Sequence, residues 1–179
     1  MKKALPSPQV EKARAAALIA AAVFLVLTGP ASYSGMPAWK TYEGAWFEIS
    51  YPGNFIVTPS LRSPTKAEGF DSVFFGSTDS KVKFYVFSPQ WKGDPSDIGL
   101  NAAKETVTAK ERVSNRDRTV TRWTCSAKDG SYYRSVEETE IRDLNVSYAF
   151  GIIYQDRRSY LKYKPDYLRF KRSIKRSAD

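Results

Sequence analysis

A chain of 179 residues with 28 basic and 19 acidic side chains, 14% aromatics, one cysteine and no histidine excludes several chemistries at once. Without histidine there is no Ser-His-Asp or Cys-His catalysis and no histidine-bound zinc. A single cysteine forms neither an internal disulfide nor a CxxC redox pair. The net charge of +9 is unevenly spread: residues 1–34 hold four basic and one acidic side chain, and residues 156–179 hold nine and three. Residues 35–155 hold fifteen of each and are neutral. A nucleic-acid-binding domain would carry its basic face on the body of the fold, so nucleic acid is not expected as a partner.

The N-terminus reads as an export signal. Lys2, Lys3, Lys12 and Arg14 stand against Glu11, and the uncharged run Ala15–Gly29 follows. Gly29-Pro30 breaks that run, and the small residues Ala31, Ser32, Ser34 and Gly35 come next. A basic region, an apolar stretch of about 7–15 residues and a small-residue cleavage site define a secretory signal. Residues 1–34 are therefore expected to form a signal helix cleaved before Gly35. The alternative is a retained anchor, although a spanning helix needs about 17–25 apolar residues. Lipidation at the cleavage point has no cysteine to use, since Cys125 is distant. The expected location is exported, periplasmic or extracellular. Membrane association follows if the signal is retained.

The remaining 145 residues suit one domain. Residues 35–45 read as an ordered lead-in, with Trp39 and Tyr42 able to pack on the domain that spans 46–179. Phe47, Ile49 and Tyr51 alternate with Glu48 and Ser50, the period of a half-buried strand. Pro52-Gly53-Asn54 is a turn, and Phe55-Ile56-Val57 opens a return strand. Residues 58–70 read as loop. DSVFFGS and KVKFYVFS flank Thr78-Asp79-Ser80 as a hairpin. Val82, Phe84 and Val86 share one face, and Lys83, Tyr85 and Phe87 the other, so this strand is expected to be central and covered on both sides. Pro95-Ser96 can start a short helix through Lys104. KETVTAKERVSN is compatible with strand or helix. TVTRWTCSA and SYYRSVEETEI are joined by Lys128-Asp129-Gly130, a strong hairpin signal whose central residues call for positive φ. Cys125, alternating with Trp123, reads as a buried structural thiol. In NVSYAFGIIYQ the large residues Val146, Tyr148, Phe150, Ile152 and Tyr154 line one face, and small ones the other. That asymmetry predicts a helix close on the small face. Tyr160, Tyr163, Tyr167, Phe170 and Ile174 then recur at helical spacing, with Pro165 splitting the helix or opening a second one. Hairpins followed by a terminal helix make an α+β fold: an antiparallel sheet flanked by helices.

FEISYPGNF, a strand ending in Tyr-Pro and a turn before an aromatic, followed by hairpins and a terminal helix, resembles the Mog1/PsbP-like superfamily. KDGSYYRSVEETE, FGIIYQD and YLRFKRSIK also resemble exported bacterial proteins of this type. The resemblance covers most of residues 44–176 and rests on the fold pattern. It implies an antiparallel sheet sandwiched by helices and non-catalytic accessory, assembly or binding roles. It transfers no functional residue, and no metal or cofactor.

Two clusters offer sites of their own. Glu137, Glu138 and Glu140, with Asp143 and Asp129, form a carboxylate group; Glu138 and Glu140 point one way with Arg134, and Glu137 points the other. Paired carboxylates can divide acid and base roles or bind a hard cation. Alternatively they form a solvated sheet edge balanced by basic neighbours. Arg158, Lys162, Arg169, Arg172 and Arg176 fall on one arc of the terminal helix and form the candidate binding surface, for an anionic surface or an envelope protein. Trp39, Trp46, Trp91, Tyr132 and Tyr133 are candidates for lining a groove. The expected function is a non-enzymatic accessory or binding domain of the bacterial envelope. A carboxylate-dependent hydrolase and a membrane-surface protein held by the basic helix are the alternatives.

Overall fold

The structure, a computed structural model, describes residues 38–177. The expected signal segment and its cleavage site lie outside the described residues. The chain runs through β1 (Trp39–Glu43), β2 (Phe47–Pro52), β3 (Ile56–Pro59), β4 (Ser72–Gly76) and β5 (Val82–Phe87). A 3-10 turn at Ser96–Ile98 precedes β6 (Glu105–Ser114), β7 (Arg118–Ala127), β8 (Tyr133–Ile141) and β9 (Val146–Tyr154). Helix α1 (Arg157–Arg172) and the short β10 (Lys175–Arg176) close the chain. Every pairing is antiparallel. Seven strands form one sheet in the order β3-β4-β5-β9-β8-β7-β6, and β1-β2-β10 form a second.

The alternating segments behave as their periodicity dictates. In β5, Val82, Phe84 and Val86 enter one apolar cluster and Tyr85 and Phe87 another, on the opposite face of the sheet. β5 is accordingly interior, between β4 and β9. The β4–β5 turn is tied by Asp79, which accepts from the Ser77 hydroxyl at 2.6 Å, with Ser80 at φ 56. The ambiguous segment after Lys104 is a strand, β6, whose pairing with β7 shifts register between Val107 and Ala109.

Several expectations are corrected. The lead-in is itself a strand: β1 pairs with β2 from Trp39↔Pro52 to Glu43↔Glu48. Pro52-Gly53-Asn54 does not close a hairpin, because β2 belongs to the small sheet and β3 to the large one. The turn moves the chain between sheets, and Gly53 allows it: a Cβ there would stand 2.2 Å from the Ala38 carbonyl oxygen. The loop after β7 is longer than a two-residue turn. Ala127 N–H donates to Tyr132 O at 2.9 Å, and Gly130 at φ +75 is its one residue with positive φ. The helix expected to run from Pro95 to Lys104 is only the 3-10 turn; Gly99 ends it.

Helix α1 begins where Asp156 caps it, accepting the Ser159 N–H at 2.7 Å. Pro165 lies inside the helix and does not split it. Pro165 removes one backbone donor, but it and Leu161, whose carbonyl loses that donor, both sit on the exposed side. The aromatic row on the other side pins both halves: Tyr167 and Phe170 are buried, with Tyr160, Tyr163 and Ile174 packed beside them.

The helix lies on the large-residue face of β9, not the small one. Phe170 packs edge-on to Phe75 and Phe150 at centroid distances of 5.3 and 6.1 Å. Phe47 and Ile49 of β2 join the same cluster. Large aromatics fill the gap between sheet and helix, so the helix needs no small face to approach. The small face of β9 instead receives the segment around the 3-10 turn, where a Cβ on Gly151 would stand 2.5 Å from Ile98 Cδ1. The fold is thus α+β and mostly antiparallel, with one C-terminal α-helix among the described residues rather than helices on both faces.

Candidate functional site

The five basic residues expected on one helical arc divide into three groups. Arg158 and Arg172 are exposed on the outer side of α1. Lys162 and Arg169 are also exposed but engaged. The Lys162 ammonium reaches Asp79 at 3.2 Å, and the Arg169 guanidinium lies 4.1 Å from the Trp39 ring centroid. Arg176 is not on the helix at all. It belongs to β10, where its guanidinium donates to Ser88 Oγ at 3.0 Å and to the Pro89 carbonyl at 3.2 Å. Burial holds its pKa below the ordinary arginine value. The helical arc extends four residues too far because Ser173 ends the helix: its hydroxyl accepts the Ser50 N–H at 2.9 Å and donates to Phe170 O at 2.8 Å.

The outer face carries more than charge. Leu161 and Leu168 are 55% and 44% exposed, seven residues apart with exposed Pro165 between them. Exposed Arg157, Arg158, Lys164 and Arg172 border this strip. The result is a solvent-facing helix surface with an apolar seam and basic flanks, the composition of an interfacial helix.

The carboxylate group is not a sheet edge, because β8 lies between β7 and β9. Glu137 faces α1, accepting from Lys171 Nζ at 2.9 Å and from Arg122 Nε at 2.7 Å. Burial raises its pKa, and these two cations outweigh that and leave it lowered. Glu138 and Glu140 face the other way and help line a concavity of about 270 Å³ against Lys92–Pro95. Glu140 accepts from Lys92 Nζ at 2.6 Å, a bond that lowers its pKa. Glu138 accepts from Trp123 Nε1 at 3.0 Å. Glu140 is thus held as a carboxylate counter-ion, which suits anchoring of the 92–95 segment better than general-acid work. No group of three or more Asp, Glu or Cys among the described residues is arranged to hold a metal ion.

Arg134, read from the sequence only as a neighbour of Glu138, is 5% exposed and organises the small-residue face. Its guanidinium is paired with Glu105 and donates to the carbonyls of Ile98 and Gly99, the latter at 2.9 Å. It also lies 4.8 Å from the Trp123 ring centroid. Glu105 additionally accepts from the Tyr132 hydroxyl at 2.7 Å and the Asn101 N–H at 2.8 Å. Cys125 is fully buried beside this network, and burial raises the pKa of its thiol. A second tie joins the 3-10 turn to the sheet: Asp97 accepts from the hydroxyls of Tyr85 at 2.5 Å and Ser72 at 2.6 Å.

Of the candidate groove aromatics, Trp46 is buried, with its indole N–H donating to Thr65 Oγ1 at 2.9 Å. Tyr132 is spent on Glu105, and Tyr133 stacks on Tyr154 at 5.7 Å. Trp91 is left 50% exposed. The residue that sequence reading missed is Asp71. Its place just before a strand, after Phe70, gave no sign that the residue is buried, at 3% exposed.

No family model matches the sequence, and no curated protein matches it. Solved structures do show likeness in fold. The chain is similar to the cyanobacterial PsbP (CyanoP) of Synechocystis, with 11% identity and a TM-score of 0.48, over 83% of this chain and 98% of that one. It is similar to the Ran-binding protein Mog1p of Saccharomyces cerevisiae, with 12% identity and a TM-score of 0.41, over 79% of this chain and 97% of that one.

Proposed function

We propose that this protein is an exported, non-enzymatic binding domain of the bacterial envelope that rests on an anionic membrane surface through the outer face of α1. The observation that carries this reading is the exposed Leu161–Leu168 seam with Arg157, Arg158, Lys164 and Arg172 along its borders. An apolar seam gains by entering the headgroup boundary, and each basic side chain near an anionic surface contributes roughly 1 kcal/mol. The opposite face of the helix is already committed to the core, so the helix presents its outer face without unfolding the domain. The export signal read in residues 1–34 supports the envelope location.

Sedimentation with vesicles containing 30 mol% phosphatidylglycerol tests the reading. The protein is expected to co-sediment, and to be released by 0.5 M salt. Arg158→Glu with Arg172→Glu is the informative variant, because Arg169 also packs on Trp39 and its change would disturb β1. Binding by that variant equal to the wild type would sink the proposal.

A carboxylate-dependent hydrolase is a second reading, supported by the placement of Glu138 and Glu140 in one concavity. The ion pair from Lys92 to Glu140 weighs against it. Turnover of an envelope polysaccharide that disappears in Glu138→Gln would decide for the enzyme.

A further inference from the structure

The face of the large sheet away from α1 carries a trough beside the β4–β5 turn. One row of the register crosses four strands here. Ile56 on β3 stands opposite Gly76 on β4, Gly76 opposite Lys83 on β5, and Lys83 opposite Ile153 on β9. Neighbouring strands lie about 4.8 Å apart, so Ile56 and Lys83 flank a gap of roughly 10 Å with no side chain at its centre. The hollow measures about 420 Å³, within the size range of small-molecule sites. Ile56, Phe74 and Ile153 give it apolar walls; Thr58, Ser77 and Ser80 are its neutral polar groups, and Lys83 is its one charge. The Ser77 hydroxyl is already spent on Asp79 and on the Val82 N–H. Nothing inside the chain calls for glycine at 76. Its φ is not in the left-handed region, and an added Cβ would meet nothing closer than Lys83 Cγ at 3.9 Å. A glycine in a strand weakens it and often marks the close approach of a ligand.

We propose that this trough binds an amphiphilic carboxylate, with its apolar tail over Gly76 between Ile56, Phe74 and Ile153 and its head on Lys83. Charge selects the sign of the head. The adjoining hollow, which shares Lys83 and Ile153 with the trough, adds only one more charged residue, Lys81. Both lysines are exposed, and neither has a salt-bridge partner among the described residues. The neighbouring carboxylates are engaged elsewhere: Asp79 accepts from Tyr163 and Lys162 of α1, and Asp156 caps that helix. The tail supplies most of the affinity, because burial grows with each methylene removed from water while an exposed ion pair adds little. The trough and α1 lie on opposite sides of the sheet, so this site and the outer face of α1 can fail independently.

The test is a titration of the full chain with sodium octanoate, followed by the amide resonances of Ile56, Gly76, Lys83 and Ile153. The expected result is a saturable shift at these four positions. Butyrate, four methylenes shorter, is expected to bind at least about tenfold more weakly. Octylammonium, with the same tail and the opposite charge, is expected to lose a similar factor. Gly76→Leu fills the trough from its floor, where a side chain has room, and should abolish the shift while the rest of the amide spectrum stays in place. Ile56→Ser, at a position already 62% exposed, removes one wall without touching the core and should weaken binding at least about fivefold. Lys83→Gln should weaken it about threefold. Absence of a saturable shift in the wild type, equal binding of octylammonium, or unchanged affinity in both Gly76→Leu and Ile56→Ser overturns the proposal.

Discussion

The two faces of the seven-stranded sheet are covered by different physics. On one, α1 and β2 bury a nearly continuous aromatic cluster: Phe47, Phe55, Phe75, Phe84, Phe150, Tyr167 and Phe170. On the other, a segment without α-helix sits on a smaller apolar cluster, Tyr85, Phe87, Ile98, Val136 and Ala149, and is tied down by directed polar contacts, Arg134 with Glu105 and Asp97 with Tyr85 and Ser72. Apolar burial is non-directional and fills space. Polar anchoring holds a loop at a few points and leaves room between them. The concavity lined by Glu138 and Glu140 lies on this polar-anchored face.

Four variants sharpen or break this contrast, in order of expected effect. Phe170→Ala empties the centre of the aromatic face and is expected to cost about 3–5 kcal/mol in urea unfolding. Arg134→Ala leaves the Glu105 carboxylate buried without its partner and is expected to cost about 3–5 kcal/mol. The paired change Arg134→Met with Glu105→Met separates the two faces: it should recover most of that loss, since no orphan charge remains. If the double variant is as unstable as the single one, the polar face is held by shape rather than by charge. Gly151→Ala drives a methyl group into Ile98 and Tyr85 and should cost about 1–3 kcal/mol.

The smallest effect is in the pH dependence. Burial raises the Glu105 pKa, but hydrogen bonds from Arg134, the Asn101 N–H and Tyr132 outweigh it and leave it lowered. A lowered folded-state pKa adds stability that is present above the unfolded value of about 4.3 and lost as pH falls through the folded value. Glu105→Gln should therefore flatten the decline in stability below about pH 4.3, measured as the urea midpoint against pH. It should not abolish that decline, because Glu137 and Asp79 are lowered as well. An unchanged slope in Glu105→Gln would remove the carboxylate from the account of this face.

Much of the aromatic face was legible in the sequence. β5 alternates apolar residues on both sides, and Tyr160 to Phe170 repeat at the helical period. Such local periods point to burial without any knowledge of the partner. The partner itself was less legible. Which face of β9 takes the helix depends on Ile98 reaching Gly151 across the fold, a contact with no local signature. Arg134 was unreadable for a different reason: a charged residue in an alternating strand has the pattern of a solvated position, and only Glu105, 29 residues away, makes its burial tolerable. Arg158, Lys162, Arg169 and Arg172 stand on α1 and Arg176 does not, because helical phase continues on paper after Ser173 has ended the helix. Asp71 had no pattern at all: its backbone bonds run to Leu61 and Ser88, far along the chain.

The long outer strand β6 has a consequence for the protein in concentrated company. Nine of its ten residues are exposed, and it ends the sheet with no neighbour on its far side among the described residues. Val107 and Val113 are 41% and 53% exposed, so this border invites another chain to add a strand. The register shift at Val107/Ala109 bends the border where an incoming strand would need it straight, and Lys110, Glu111 and Arg112 place charge along it. Irregularity and charge at this margin work against sideways pairing, so deleting Thr108 to straighten it is expected to raise self-association, read as light scattering at increasing protein concentration.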